Sequence, residues 1–440
     1  MRPRSHEIRL KHMNDLRRLI PLFAITLAFA STGCGSDELT SPADPGNTLS
    51  VTPDKLALGV GMSRQLSAKV LDESGGEISG VELNFVSSNP DRASVSASGV
   101  VTYTGAGPAE IRISSNDLRT VVPYHGLGSG HPLGTTTTTA RLPGDGQGDG
   151  PFGVAVDADG HIFISQTNSG RVASSLYPAT DFITGDLGGG TPTSIALLGR
   201  GTALVTPSGP DTNDASVIDL ATEKVLTQVT LDVPAFSAIT APDSQTAYLG
   251  TNDGRVLVFD VASSTVTGSI ELGVPNSRAN HLALNSAGNL LYASSFTTGT
   301  ISEIDVASQS VARLLIVGGE PQGLALSPDG NELFVADEAG SGAINVLDIV
   351  RNVVEASIPS GATSSSGGAF GLAISPDGSS VYVGVISSEG PGLIQVIDAD
   401  SKTIARTIES CGHMPRRIAF GFSGGLAVIT DESGCATFVE

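Results

Sequence analysis

The chain has 440 residues, with 24 lysines and arginines against 45 aspartates and glutamates, a formal net charge of −21. A surface that acidic repels nucleic acid and anionic lipid headgroups, which argues against partners of those kinds. The length exceeds what one compact core fills, so two globular domains behind a leader are expected.

Residues 1–33 read as an export signal. Arg17 and Arg18 precede an apolar run at residues 19–30 that is too short to cross a bilayer. Ser31, Thr32 and Gly33 then lead to Cys34. Small residues ending at a cysteine resemble the lipobox of bacterial lipoproteins, although Ser31 stands where that family usually has leucine. The resemblance implies lipidation of Cys34 and a bacterial envelope protein. Gly35 follows the cysteine instead of aspartate, which implies the outer membrane, facing the periplasm or the surface. A plain secretory signal is the alternative. Residues 34–47, rich in Ser, Pro, Gly and Asp, form a tether. With Cys34 set aside, Cys411 and Cys435 are an even pair in an oxidising compartment and read as one disulfide, with a free redox pair as the alternative.

Residues 48–124 place apolar residues at every second position between Gly, Pro and Asn turns, the pattern of a small antiparallel β-sandwich. Val51-Thr-Pro53, Gln65-Leu66, Phe85-x-Ser87-Ser88-Asn89-Pro90, Ala93-x-Val95 and Gly99-Val100-Val101-Thr102 resemble the bacterial Ig-like domain of group 2. Phe85 replaces a common tryptophan. The resemblance implies a spacer or an adhesive module. Residues 125–134 read as a Gly-rich linker.

From Pro151 a phrase recurs every 40–50 residues. It reads PFGVAVDADGHIFIS, PTSIALLGRGTALVT, PAFSAITAPDSQTAYLG and RANHLALNSAGNLLYAS. It continues as PQGLALSPDGNELFVAD, AFGLAISPDGSSVYVG and PRRIAFGFSGGLAVIT. Seven such units of short strands and tight turns predict a seven-bladed β-propeller over residues 135–440. The last unit has three strands, and residues 135–142 are expected to supply its fourth and close the ring. The SPDG turns with LFVAD, VYVG, INVLD and IQVID strands resemble YVTN-repeat propellers, and the first unit leans toward the NHL type. These resemblances imply fold, not activity.

Loops joining second to third strands, and outer strands to the next blade, share one face and carry most insertions, which marks that face for binding. Its polar groups are Asp211, Asn213, Asp214, Asn252, Asp253, Asp337, Glu338, Glu389, His413, Arg416, Arg417, Asp431 and Glu432. Asp211, Asn213 and Asp214 offer oxygen ligands to Ca²⁺, but without the spacing of a known calcium loop; no other cofactor is expected. His281, with Arg278 and Glu320 from rim loops, is the candidate centre of a lactonase-like hydrolase or lyase. The reading favoured over this enzyme is a monomeric envelope protein that binds a protein or small ligand. A glycan adhesin is a third reading, which the absence of tryptophan disfavours. His281, Arg278 and Glu320 must converge for the enzyme reading to hold.

Overall fold

Alternating burial along residues 48–126 yields nine strands: β1 Thr48–Thr52, β2 Leu56–Leu58, β3 Ser63–Gln65, β4 Ser67–Leu71, β5 Asn84–Ser87, β6 Ala93–Val95, β7 Val100–Tyr103, β8 Gly107–Ser115 and β9 Leu118–Gly126. The computed structural model describes residues 47–440 except 60, 128–136, 144–148, 179–180, 210–211, 275–277, 340–341 and 363–366. The expected leader and Cys34 lie outside the described residues. Sheets β2-β9-β8-β5, β3-β7-β6 and β1-β4 enclose Leu56, Leu66, Val101, Ile111, Ile113, Val122 and Tyr124. In β8 the alternate residues Ala109, Ile111 and Ile113 point into this core. Strand β9 runs two residues into the segment read as linker, because His125 and Gly126 pair with Pro108 and Gly107 of β8.

The remainder is seven four-stranded antiparallel sheets. Their inner strands, Pro151–Val156, Pro192–Gly199, Ala235–Thr240, Ala279–Leu284, Pro321–Leu326, Ala369–Ile374 and Pro415–Gly421, contact one another in sequence, and the last returns to the first. The fold is therefore an all-β sandwich followed by a seven-bladed propeller. Strand β10, Thr137–Arg141, pairs antiparallel with Cys435–Val439 and supplies the outer strand of blade 7. Sheet faces in adjacent blades build the cores. In blade 1, Phe163 packs against Ile195 and Ala203 of blade 2, while Ile162 and Ile164 pack against Leu426, Val428 and Phe438 of blade 7. A second strand buried on both faces reads as an apolar run, which is why the repeat shows there most clearly.

The third-to-fourth turns are one device used five times. Asp219, Asp260, Asp305, Asp348 and Asp398 each accept the backbone N–H three residues on, at 2.7–2.8 Å. The residue after that, Glu223, Ser264, Gln309, Asn352 or Lys402, takes a left-handed φ of 51–57°.

Sandwich and ring belong to one compact unit. Phe422, in the first turn of blade 7, is the wedge between them. It joins the core shared by blades 7 and 1, where Ala57 and Leu127 from the sandwich are also buried and Met62 packs. A Cβ at Gly160 would come within 2.1 Å of the Phe422 ring, and one at Gly59 within 2.9 Å of its carbonyl oxygen. Arg64 and Asp159 add an ion pair at 3.0 Å. These propeller groups all sit in first-to-second or third-to-fourth turns, so the sandwich docks on the short-turn face.

Two outcomes follow from this packing. Phe422→Ala lowers stability by about 3–5 kcal/mol, the range for emptying a buried aromatic site, in chemical denaturation. The Cys411–Cys435 disulfide, 24 residues apart, ties the loop entering blade 7 to that blade's third strand. Replacing both cysteines by serine costs about 3 kcal/mol by loop entropy, read as a lower denaturation midpoint.

Candidate functional site at the channel mouth

Every inner strand breaks register with its neighbour near its start. A bulge of this kind re-aims side chains, and here it swings the second and third residues of each strand around the loop-rich end of the central channel. The second residues are Phe152, Thr193, Phe236, Asn280, Gln322, Phe370 and Arg416. The third are Gly153, Ser194, Ser237, His281, Gly323, Gly371 and Arg417.

The ring of third residues must be small because neighbouring blades touch there. A Cβ at Gly371 would overlap the Arg416 carbonyl oxygen at 1.8 Å, and one at Gly323 would lie 2.7 Å from the Phe370 carbonyl oxygen. Where a side chain is present it bonds across to the next blade. The Ser194 hydroxyl accepts the Ala238 N–H at 3.1 Å, and the Ser237 hydroxyl donates to the Ala279 carbonyl at 3.2 Å. His281 Nδ1 accepts the Leu324 N–H at 3.0 Å, which leaves the ring proton on Nε2. His281 is half-buried and lines a cavity in the channel. Burial, reinforced by the charge of Arg417, holds its pKa well below 6.5.

Arg417 enters the channel from blade 7 and is 8% exposed. Its Nη2 donates to the Asn280 carbonyl at 3.1 Å, while Nη1 is buried without a protein partner. Phe152, Phe236 and Phe370 surround its guanidinium with ring centroids 5.6–5.7 Å away. Phe152 meets Phe236 and Phe370 edge to face, and Ile386 and Met414 pack beside them. Above this layer Arg416 stacks on Phe370 at 4.4 Å and forms an ion pair with Glu432 at 2.5 Å. Burial, and then the adjacent Arg416, push the Arg417 pKa down to about 9. Beneath the aromatic layer lies a cavity of about 110 Å³, walled by Gly153, Ser194, Ser237, His281, Arg417 and apolar residues including Leu282 and Ile418.

The other candidates fall as follows. Arg278 lies over Phe236 at 5.8 Å, and the Glu320 N–H donates to Asp337 at 2.8 Å. No hydrogen bond or ion pair among the described residues joins either to His281, so the proposed enzyme constellation is not assembled. Asp211 lies outside the described residues. Asn213 accepts the Leu231 N–H at 3.0 Å through its carbonyl, and Asp214 accepts the Thr230 hydroxyl at 2.5 Å, within one hairpin. Asn252 donates to the Ser208 carbonyl at 3.1 Å, and Asp253 pairs with Arg255 at 2.7 Å. Asp337 also accepts the Ala339 N–H at 3.0 Å, and Glu338 accepts from Gln322. Burial raises the Glu338 pKa, with Gln322 and Arg416 opposing it. Asp431, fully buried, accepts the Ser410 hydroxyl at 2.7 Å and the Ser433 N–H at 3.0 Å. The acidic pairs of blades 5 and 7 are thus occupied separately. Glu389 and His413 are exposed, the latter beside the Ser433 hydroxyl at 2.8 Å.

Two features escaped the sequence reading. Asp157, Asp159 and His161 bring ligand atoms within 4.8 Å of one another. Their geometry is that of a turn, since Asp157 accepts the N–H groups of Asp159 and His161 at 2.9 and 2.8 Å and Asp159 holds Arg64. A groove of about 520 Å³ between blades 1 and 2, lined by Phe163, Ile183 and Leu220, opens on the short-turn side, away from Arg417.

The fold is similar to a chain of Kuenenia stuttgartiensis hydrazine synthase, with a TM-score of 0.60 and 17% identity, over 71% of this chain and 99% of that one. The likeness shows fold alone. No protein-family model matches the chain, and no curated protein matches it in sequence.

His281 sets a pH dependence. Its folded pKa lies below 6.5, so below pH 6.5 the unfolded state binds the proton first and stability declines as pH falls. His281→Gln flattens that slope in denaturation curves between pH 7 and 5. In wild type the imidazole stays the neutral Nε2–H tautomer by NMR at pH 6.

Proposed function

We propose that the chain is an exported, lipid-anchored envelope protein whose propeller presents its loop-rich face to a protein partner. The observation that carries this reading is the side on which the sandwich docks. Phe422 and the Arg64–Asp159 pair hold the sandwich on the short-turn face, and the tether precedes the sandwich. The sandwich thus leaves the loop-rich face uncovered, with its exposed rim groups Glu389 and His413 and the Arg416–Glu432 pair at the channel mouth. The sandwich, in its Ig-like reading, acts as a spacer. A rigid scaffold with function on the loops of one rim suits recognition, and among the described residues no hydrogen bond or ion pair joins His281 to Arg278 or Glu320 to support catalysis.

Two arms test the reading in cells. Cys34→Ala abolishes incorporation of an alkynyl fatty acid and releases the protein from the membrane fraction. Photo-crosslinking residues at Glu389 or His413 trap one discrete adduct, whereas the same residues at Asp243 or Asp329 on the opposite face trap none. Adducts from the short-turn face alone, or unchanged fatty-acid labelling in the Cys34 variant, would defeat the proposal.

A further inference from the structure

We infer that the channel cavity beneath the phenylalanine layer is a binding site for a small monovalent anion, such as formate, nitrate or a halide, held by Arg417 with His281. A buried guanidinium without a counter-charge is costly by several kcal/mol, and natural structures pair such groups. The nearby carboxylates are engaged elsewhere, Glu432 by Arg416 and Glu338 by Gln322. The three phenylalanine rings offset part of the cost, but at 5.6–5.7 Å they sit near the outer limit of cation–π attraction.

The polar groups on the cavity wall then select the ligand's sign. Arg417 offers Nη1–H bonds with no protein acceptor. His281, with Nδ1 taken by the Leu324 N–H, presents Nε2–H as a donor. The Ser237 proton goes to the Ala279 carbonyl, and the Ser194 oxygen takes the Ala238 N–H, leaving that hydroxyl's proton free to donate. A wall of donors with one fixed positive charge accepts an anion and rejects a cation, which removes Ca²⁺ from this position. The volume, about 110 Å³, suits a few non-hydrogen atoms. One cationic group matches one negative charge, so a dianion would remain uncompensated.

The site needs the whole ring, since Arg417 comes from blade 7 and His281 from blade 4. An anion there would add a second tie between blades 7 and 4, which the Arg417–Asn280 hydrogen bond already joins. This inference does not depend on the envelope reading.

Thermal unfolding of the purified full-length protein tests it, in sodium formate, nitrate or bromide against gluconate at matched ionic strength. The expected result is a midpoint rising by about 2–5 °C over a hundredfold increase in the small anion, with gluconate inert. Arg417→Met, where folded, loses the response. Bromide-soaked crystals of wild type give a reading that does not depend on the folding of that variant, with an anomalous peak expected against Arg417 Nη1. Identical midpoints in all salts, a folded Arg417→Met that still responds, or bromide found only on the outer surface would overturn the inference.

Discussion

Closure of the ring by β10 is the constraint on which the rest depends. Blade 7 receives three strands from residues 415–439 and the fourth from Thr137–Arg141, so the two ends of the propeller sequence meet in one sheet. Without that pairing blades 1 and 7 would each expose a core face, and Ile162, Ile164, Leu426 and Phe438, all buried, would face water. At roughly 1.5–3 kcal/mol for each large apolar side chain, that shared core outweighs any single surface contact in the molecule. The channel exists as a walled space only once the ring is closed, and Arg417 can then reach across it to Asn280.

The same closing region carries the domain contact. Phe422 follows directly on the last inner strand, and its left-handed φ of 53° turns its ring toward Gly160 and Tyr177. A non-glycine residue in that conformation is held by its surroundings, and the glycines at 59 and 160 leave the space it fills. Blade 7 consequently carries several constraints at once. It holds the closing strand, the disulfide, the wedge against the sandwich and both channel arginines.

Much of this was legible in the residues and some was not. Period and turn chemistry marked the blade strands, because buried second strands such as LFVA read as apolar runs between SPDG turns. The closing strand followed from a three-stranded last unit, and the disulfide from an even pair of cysteines. The end of strand β9 was hidden, since His125 and Gly126 open a Gly-rich run that looks like linker while their pairing comes from β8. The Phe422 wedge left no local signal, because docking between domains has no period. The site was partly visible. Arg417 was identified as a rim group but lies inside the channel, because the bulge redirects it.

Stacking the seven repeats would have shown the channel directly. The third column reads Gly, Ser, Ser, His, Gly, Gly, Arg. Five small residues there are what packing demands, since neighbouring inner strands approach within contact of any added Cβ. A histidine and an arginine in such a column break the repeat at the position where bulk is least welcome. His281 has a structural account in its bond to Leu324. Arg417 has only half of one, because Nη2 is bonded and Nη1 is not. In a repeat protein, symmetry is the record of packing and departures from it are the record of everything else. The departure at Arg417 places a charge in the channel that packing alone does not require.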